Sequence, residues 1–387
     1  MKKHLFPLFL LLIGANASAQ QDFFALVGKE TPNIIFNDFR AIDPANGNSG
    51  EKIFTADSSA RVFSQTRNGA VTEDKNTYNN AQAMNMATLA YDSYNNLVYM
   101  PMFSSNIYIL NAKSREITLV ENNVARVTSC DINSHFTRMA TGYDGSIYAI
   151  NNAGTQFLKI SKKGNQYTVN DLGIITDDVS NGKSSFSIME TGFGGDMIAD
   201  AEGNFYVFSA SGNVFKIVTK ELKARFIGKI SGIRDNYSVN GSAVNSTGNI
   251  VIASAKGGPL YEVDLNTLQA KQLPGEQNLH IYDLASKYFA NDKAALGNVF
   301  ANIDIYPTRV DEKLININVN DKAVKGNIRL NVFDLSGKNV MKQSLSVKEG
   351  SLNQQVYLRN LVSGAYLVNI TDESGKVLLN KKIVVTE

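Results

Sequence analysis

Short runs of alternating apolar and polar residues recur through most of the chain in one layout. Each copy begins with a polar turn that ends in Gly or Asn, and a β-branched or aromatic strand follows at once, as in a tight hairpin. The pattern therefore predicts a repeated β unit. The first apolar residues after these turns lie about 45 to 60 residues apart and are Leu97, Ile147, Phe205 and Ile250.

Each unit continues into further strands. A second apolar run starts about nine or ten residues after the first, as at Ile107 and Phe157, and an outer strand follows another polar turn. Upstream, runs beginning at Ile53 and Val62 have the same spacing and predict a fifth copy. Four-stranded units that repeat about every 45 to 50 residues are typical of β-propeller blades, because neighbouring blades must stack to bury each blade's two faces.

Closure of a propeller requires a blade that is shared between the two ends of the domain. Strand-like residues 278–282 and 288–289 follow the last repeat, and residues 23–27 form the first apolar run of the body. With this shared blade we expect an all-β fold with a propeller of six blades. Five and seven blades remain open, and an irregular array of β-sandwiches is the alternative fold.

The C-terminal quarter carries a different β pattern. Residues 313–319 alternate strictly between apolar and polar, and about seven short strands are predicted after residue 300, which suits a small immunoglobulin-like β-sandwich. The predicted organisation is therefore a signal peptide at 1–19, a β-propeller domain at 20–292, a linker at 293–300 and a β-sandwich domain at 301–387.

The N-terminus has the three parts of a secretion signal. Lys2 and Lys3 supply positive charge, residues 5–13 form an apolar core, and Ala17 and Ala19 fit the small positions of a cleavage site. The apolar core is shorter than the roughly 20 residues that a spanning helix needs, and no other stretch approaches that length. We expect a secreted protein without a transmembrane segment.

A set of short motifs occurs in order through the C-terminal domain. These motifs resemble the type A C-terminal sorting domain of proteins exported by type IX secretion, although Thr308 and Arg309 replace the Asn-Pro that usually follows the first proline. The resemblance implies that the type IX machinery recognises residues 301–387, that the chain crosses the outer membrane, and that the domain is removed before release or surface attachment. An ordinary accessory sandwich domain is the alternative. The residues that carry the resemblance are Tyr306, Pro307, Asp334, Gly337, Lys338, Gly364, Tyr366, Lys381 and Lys382.

The propeller body resembles a known class more loosely. The chain contains no tryptophan, which argues against propellers whose blades carry a Trp-Asp signature. Its Asp-x-x-Gly-Asn turns, as at Asp200, are similar to those of NHL-like or sugar-lactonase-like propellers.

Charge and cysteine content narrow the function classes. Lys and Arg total 38 against 36 for Asp and Glu, and this balance gives no field that would attract nucleic acid or an anionic membrane. Cys130 is the single cysteine, so no intramolecular disulfide can form, and we expect it buried on a strand.

The predicted channel mouth contains the candidate binding residues. Function in propellers usually lies where the innermost strands converge. Arg138 and Asp196 interrupt otherwise apolar inner strands, and both are costly to bury unless they are paired. They either bind a polar ligand, form a structural ion pair with each other or face water in the channel. The candidate ligand-binding residues are Asn85, Thr88, Arg138, Asp196 and Asn240.

The repeated turn residues favour turn capping over metal binding. Asp92, Asp144, Asp200 and Asn245 belong to separate hairpins, which places them blades apart rather than around one ion. We therefore predict no metal, no cofactor and no assigned catalytic residue.

Two functions remain open. The favoured hypothesis is a secreted or cell-surface binding module for a glycan or a protein. The alternative is a propeller enzyme of the hydrolase or lactonase type with a site in the central channel near Asp196.

Overall fold

The computed structural model of the 387-residue chain shows an all-β protein. Three helical segments are present among the described residues: Ile132–Ser134, Val179–Asn181 and Met189–Gly192. The signal peptide predicted at 1–19 and the candidate Asn85 lie outside the described part of the chain. The described ranges are 22–29, 35–55, 60–73, 86–102, 104–275, 279–292, 303–321, 324–375 and 377–386.

Five sheets form the first part of the protein, and each contains the four antiparallel strands of one blade. The strands of each blade are given from the inner strand outwards. Blade 1 contains His280–Ser286, Phe23–Lys29, Ile35–Ile42 and Ser49–Thr55. Blade 2 contains Ala90–Tyr91, Asn96–Tyr99, Ile107–Asn111 and Ile117–Val120. Blade 3 contains Phe136–Thr141, Ile147–Asn151, Phe157–Lys163 and Gln166–Gly173. Blade 4 contains Asp196–Ala199, Phe205–Phe208, Asn213–Val218 and Lys223–Lys229, and blade 5 contains Val239–Val244, Ile250–Ser254, Tyr261–Val263 and Ala270–Gln272.

The five blades form a closed ring, which confirms the β-propeller. Each inner strand packs against the inner strands of two neighbouring blades. A separate apolar core fills the space between every pair of adjacent blades, for example Leu26 with Tyr99 between blades 1 and 2 and Ala25 with Val251 between blades 1 and 5. This stacking buries both faces of each sheet, as the repeated pattern requires.

The described residues give five blades where the sequence pattern predicted six. The two runs predicted to be a fifth repeat do not form a blade of their own. Ser49–Thr55 is the outer strand of blade 1, whereas Ala60–Ser64 pairs in parallel with Ile117–Val120 at the edge of blade 2. Equal spacing of two apolar runs was a poor guide here, because outer strands of different blades can lie equally far apart in sequence. Two further strands extend blades at their outer edges, Gly69–Glu73 in blade 2 and Thr176–Asp177 in blade 4.

The shared blade at the chain ends is confirmed. Phe23–Lys29 pairs antiparallel with His280–Ser286, and Leu26 lies opposite Asp283. The last strand of the propeller is thus the innermost strand of blade 1, and the next three strands come from the N-terminal part of the chain.

The repeated turn residues cap their hairpins through side-chain oxygens. Asp92 Oδ1 accepts hydrogen bonds from the backbone N–H groups of Tyr94 and Asn96, each at 2.8 Å. Asp200 makes the equivalent pair of bonds in blade 4. These turns connect each inner strand to the next one, and we call the face of the ring that carries them the hairpin face.

Residues 303–386 form two sheets around one apolar core. Ile317, Leu330 and Val368 are fully buried in it. The described residues of the C-terminal part form eight strands where about seven were predicted, and one of the eight is only two residues long. The first sheet contains Ile303–Tyr306, Leu314–Asn320 and Ser351–Tyr357, and the second contains Arg309–Val310, Val377–Val385, Gly364–Thr371, Gly326–Phe333 and Asn339–Val347.

Cys130 does not lie on a strand. It is exposed in a turn with a φ of 67°. The apolar neighbours that suggested a buried strand belong to a loop between blades 2 and 3, where main-chain direction changes within a few residues.

Candidate functional site

The predicted channel residues lie on or beside the inner strands, but most are sealed from solvent. Thr88, Arg138 and Asp196 have no exposed surface. Thr88 Oγ1 lies 3.7 Å from the Met139 sulfur atom. Asn240 is half-buried, and its side-chain oxygen accepts from the backbone N–H of Ala255 at 3.3 Å. Direct ligand contact through this set therefore stays a prediction, and its burial favours a structural role.

Arg138 is held by backbone carbonyls. Its guanidinium donates to the carbonyl oxygens of Gly194 at 3.0 Å and Gly192, and its charge lies 4.8 Å from the centre of the Phe186 ring. Among the described residues no carboxylate lies within ion-pair distance of it. Burial lowers the pKa of Arg138 to about 9, and the charge of Asp196 opposes that shift. Arg138 thus fixes the loop that leads into blade 4.

Asp196 and Asp283 form a buried pair at the centre of the ring, which we call the carboxyl pair. Asp196 accepts hydrogen bonds from the N–H groups of Met197 at 2.7 Å, Ser242 at 2.6 Å and Leu284 at 3.4 Å. Asp283 accepts one from Leu89 at 3.1 Å. The carboxyl pair therefore connects the inner strands of blades 1, 4 and 5 with the segment that enters blade 2.

We expect the two carboxyls to hold one proton between them. Burial raises the pKa of both acids well above the usual range, and the negative charge of Asp196 raises that of Asp283 further. Asp283 Oδ1 has no donor among the described residues, so a proton between the two side chains supplies the missing bond. Asp196 accepts more N–H hydrogen bonds, so it is expected to be the better anion and Asp283 the protonated acid.

The channel leaves little room for a ligand. A cavity of about 20 Å³ lies among the inner strands of all five blades, close to Tyr91, Met139 and Ala199. That volume accommodates about one water molecule.

The C-terminal domain docks on the hairpin face through four alternating charges, which we call the ion chain. Lys287 Nζ lies 2.9 Å from Asp22 and 3.3 Å from Asp304, and Asp304 lies 2.8 Å from Lys381 Nζ. All four side chains are between 11% and 26% exposed, so the contacts are largely shielded from water. The Thr308 hydroxyl adds a weak bond to the Tyr143 carbonyl oxygen at 3.4 Å.

Acid is expected to loosen this docking. Burial opposes the charged form of Asp304, but Lys381 and Lys287 outweigh it and lower its pKa to about 2. A depressed carboxyl pKa stabilises the docked state above the ordinary pKa near 4, and this contribution is lost as pH falls from about 4 to about 2. Small-angle scattering should show the radius of gyration rising over that interval. A radius that stays constant down to pH 2, with both domains folded by circular dichroism, would contradict the assignment.

Beside the ion chain a larger space separates the two domains, which we call the interdomain groove. Its volume is about 240 Å³. Burial, followed by the charges of Asp311, Asp92 and Glu312, raises the pKa of Tyr94 in its wall to about 12. The propeller contributes Ser93, Tyr94, Asp144, Gly145, Ser146, Ser161, Lys162, Lys163 and Thr168, and the C-terminal domain contributes Pro307, Arg309, Asp311 and Thr386.

Sequence patterns missed Asp283 and Lys287, which are central to two of these sites. Asp283 interrupts an apolar strand just as Asp196 does, so the same signal was present in the run predicted to close the ring. Lys287 follows that strand, and no sequence pattern marks it as a site residue. Its partners Asp22 and Asp304 lie near opposite ends of the chain. Lys381 was singled out as part of a sorting motif, and the structure places it in the ion chain.

Comparison with solved structures finds low similarity over long stretches. The extracellular domain of a putative one-component system from B. thetaiotaomicron is 11% identical with a TM-score of 0.32, and the match covers 94% of this chain and 50% of that one. The chain therefore spans half the length of that structure. Virginiamycin B lyase from Staphylococcus aureus is 8% identical with a TM-score of 0.34, covering 95% and 96%. A putative gluconolactonase is 10% identical with a TM-score of 0.31, covering 78% and 90%.

No curated protein sequence matches the chain. No helix among the described residues is long and apolar enough to cross a membrane. A family model does match the C-terminal part, described as a secretion system C-terminal sorting domain, over residues 304–386. This match confirms the sorting domain predicted from the motifs, and the chain is accordingly directed to the cell surface or the exterior. Over residues 304–386 the chain is thus similar to the secretion system C-terminal sorting domain family.

Proposed function

We propose that the exported body is a binding module for a glycan or a protein. The observation that carries the proposal is the filled channel. Its charged groups are bonded to backbone atoms, and its cavity of about 20 Å³ is too small for a substrate. A larger, polar space among the described residues is the interdomain groove. Binding requires only such a surface, whereas hydrolysis requires an accessible activating group.

The enzyme alternative rests on the carboxyl pair. Two buried acids that are expected to hold one proton between them resemble a general acid–base arrangement, and their raised pKa values are of the kind found at active sites. Catalysis would require the inner strands to separate enough to admit a substrate between Asp196 and Asp283. This motion is the feature that distinguishes the two functions.

A glycan array with the full chain, beside a screen against lactone and glycoside substrates with and without divalent metal, tests the proposal. We expect binding to at least one glycan class and no turnover. Asp283→Asn provides the matched control, because asparagine can replace the protonated acid in shape and hydrogen bonding but cannot transfer its proton. Turnover by the native chain that this variant loses would establish the enzyme instead.

A further inference from the structure

One outer face of the C-terminal domain combines cations with exposed apolar side chains, and we call it the sorting face. Alternate residues of a strand point to opposite sides, so every second residue of this sheet points away from the apolar core. The four strands that form the face are Val377–Val385, Gly364–Thr371, Gly326–Phe333 and Asn339–Val347. Two cross-strand rows occupy its centre, with Lys382, Leu367 and Phe333 in one and Asn380, Asn369 and Asn331 in the other.

The sorting face is cationic and carries no acid. Lys382, Lys342 and Arg329 are exposed on it. None of its four strands contains Asp or Glu, although acids and cations nearly balance over the whole chain. The three strands of the other sheet contain no Lys or Arg. Positive charge therefore distinguishes one face of the sandwich from the other.

Apolar side chains lie among these cations. Leu367 is 44% exposed and lies opposite Lys382 on the neighbouring strand. Val384, two residues beyond Lys382, is 40% exposed. Exposed apolar residues that are grouped and bordered by polar ones are typical of protein interaction sites.

A row of asparagine side chains crosses all four strands. Asn339 Nδ2 donates to Asn331 Oδ1 at 3.2 Å, and Asn331 Nδ2 donates to Asn369 Oδ1 at 3.5 Å. Asn369 Nδ2 donates in turn to Asn380 Oδ1 at 2.8 Å. Each amide group has two N–H donors and an oxygen that can accept twice, so the row keeps capacity for a partner. These bonds orient the amides in advance, which lowers the cost of ordering them on binding.

The two adjacent lysines of the sorting motif point to opposite sides of their strand. Lys381 Nζ lies 2.8 Å from Asp304 and belongs to the ion chain. Lys382 lies on the sorting face, and among the described residues no carboxylate is within ion-pair distance of it. Docking on the propeller thus accounts for Lys381 but not for Lys382.

We propose that the export machinery recognises the folded sorting domain through the sorting face, and that the partner is a protein presenting acidic side chains around an apolar patch. Acidic groups would complement the three cations and exclude surfaces of the wrong charge. The apolar residues and the oriented asparagine row require a surface of matching shape, which a protein supplies. Recognition precedes removal of the domain, so the inference holds for a body that is later released without it. It is independent of what the propeller binds.

The test measures export of the full chain by a bacterium with type IX secretion, as the ratio of chain outside the outer membrane to chain retained in the periplasm. Lys382→Glu should lower this ratio about tenfold, because repulsion replaces attraction at the interface. Leu367→Ser should also lower it, whereas Lys382→Arg should keep the native ratio because it preserves the charge. The matched controls are Arg359→Glu and Tyr357→Ser, two exposed residues at the end of the other sheet, and both should be exported as the native chain is.

The other outcomes would overturn the proposal. Native export of both Lys382→Glu and Leu367→Ser would exclude the sorting face as the recognition surface. An equal loss in Arg359→Glu would show a general dependence on charge, and a loss in Lys382→Arg as severe as in Lys382→Glu would exclude recognition of the charge. Native urea midpoints show that the variants fold, and Lys342→Glu on the same face replaces Lys382→Glu if that variant is destabilised.

A second measurement separates a protein partner from the anionic surface of the outer membrane. The purified native chain and Lys382→Glu are each mixed with lipopolysaccharide vesicles and sedimented. Absence of binding by the native chain is expected for a protein partner. Binding by the native chain that Lys382→Glu loses would identify the membrane surface as the partner instead.

Discussion

Asp196→Asn is expected to lower the free energy of unfolding by about 3 kcal/mol, whereas Asp283→Asn should lower it by less than about 1 kcal/mol. Asparagine at 196 has one acceptor oxygen where the carboxylate serves three backbone N–H groups, so at least one buried donor loses its partner. Asparagine at 283 can still accept from Leu89 and donate to Asp196. Urea denaturation followed by tyrosine fluorescence measures both changes.

The same pair makes the unfolding free energy depend on pH. A carboxyl whose pKa is raised in the folded state binds a proton there that the unfolded chain has already lost. Stability should therefore decrease as pH rises from about 4 towards the raised pKa of Asp283. Asp283→Asn should remove most of this slope.

Asp235→Asn, at an exposed position, is the control and should leave the slope as it is in the native chain. Equal losses in Asp196→Asn and Asp283→Asn, or a slope that survives in Asp283→Asn, would contradict a shared proton located on Asp283.

Lys287→Met is expected to weaken docking of the sorting domain by about 2 to 3 kcal/mol, the second large effect. Burial alone would lower the pKa of Lys287, but Asp304 and Asp22 outweigh it and raise that pKa. Removal of the ammonium leaves Asp22 without its cation and two negative charges close together, and breaking one partner of a shielded pair is strongly unfavourable. A larger radius of gyration in scattering, with unchanged circular dichroism, is the expected result.

Lys256→Met provides the matched control, because this exposed propeller lysine lies outside the ion chain. It should leave the radius of gyration at the native value. A Lys287→Met chain that is as compact as the native protein would show that the ion chain contributes little to docking.

Much of the fold could be predicted because local chemistry determines it. The first apolar residues after the repeated turns mark strand starts to within one residue. Ile147, Phe205 and Ile250 begin strands, and Leu97 is the second residue of the strand that begins at Asn96. The Gly and Asn turns that precede them require positive φ, as Gly145 and Asn95 show. The number of blades depends on which strands pair, and pairing between distant strands has no comparable local signal.

The site was less predictable for the same reason. The sequence placed Arg138 and Asp196 on inner strands as interruptions of apolar runs, and the structure has both residues there. It could not show that Arg138 bonds to carbonyls rather than to Asp196, because those carbonyls belong to a loop more than fifty residues away. The interdomain groove depends on how two domains dock, which residue periodicity does not encode. The domain boundaries, the ligand-binding set at the channel and the ligand itself therefore stay predictions.

The shared blade sets the order in which the protein can become complete. A chain that emerges from its N-terminus exposes Phe23–Lys29 first, but the inner strand that this segment needs, His280–Ser286, arrives almost last. The sorting domain follows directly, beginning with Ile303–Tyr306. The propeller can therefore close only shortly before the sorting domain is complete. A chain that ends before residue 280 would lack both the final strand of the propeller and the sorting domain, so incomplete products would not be recognised for export.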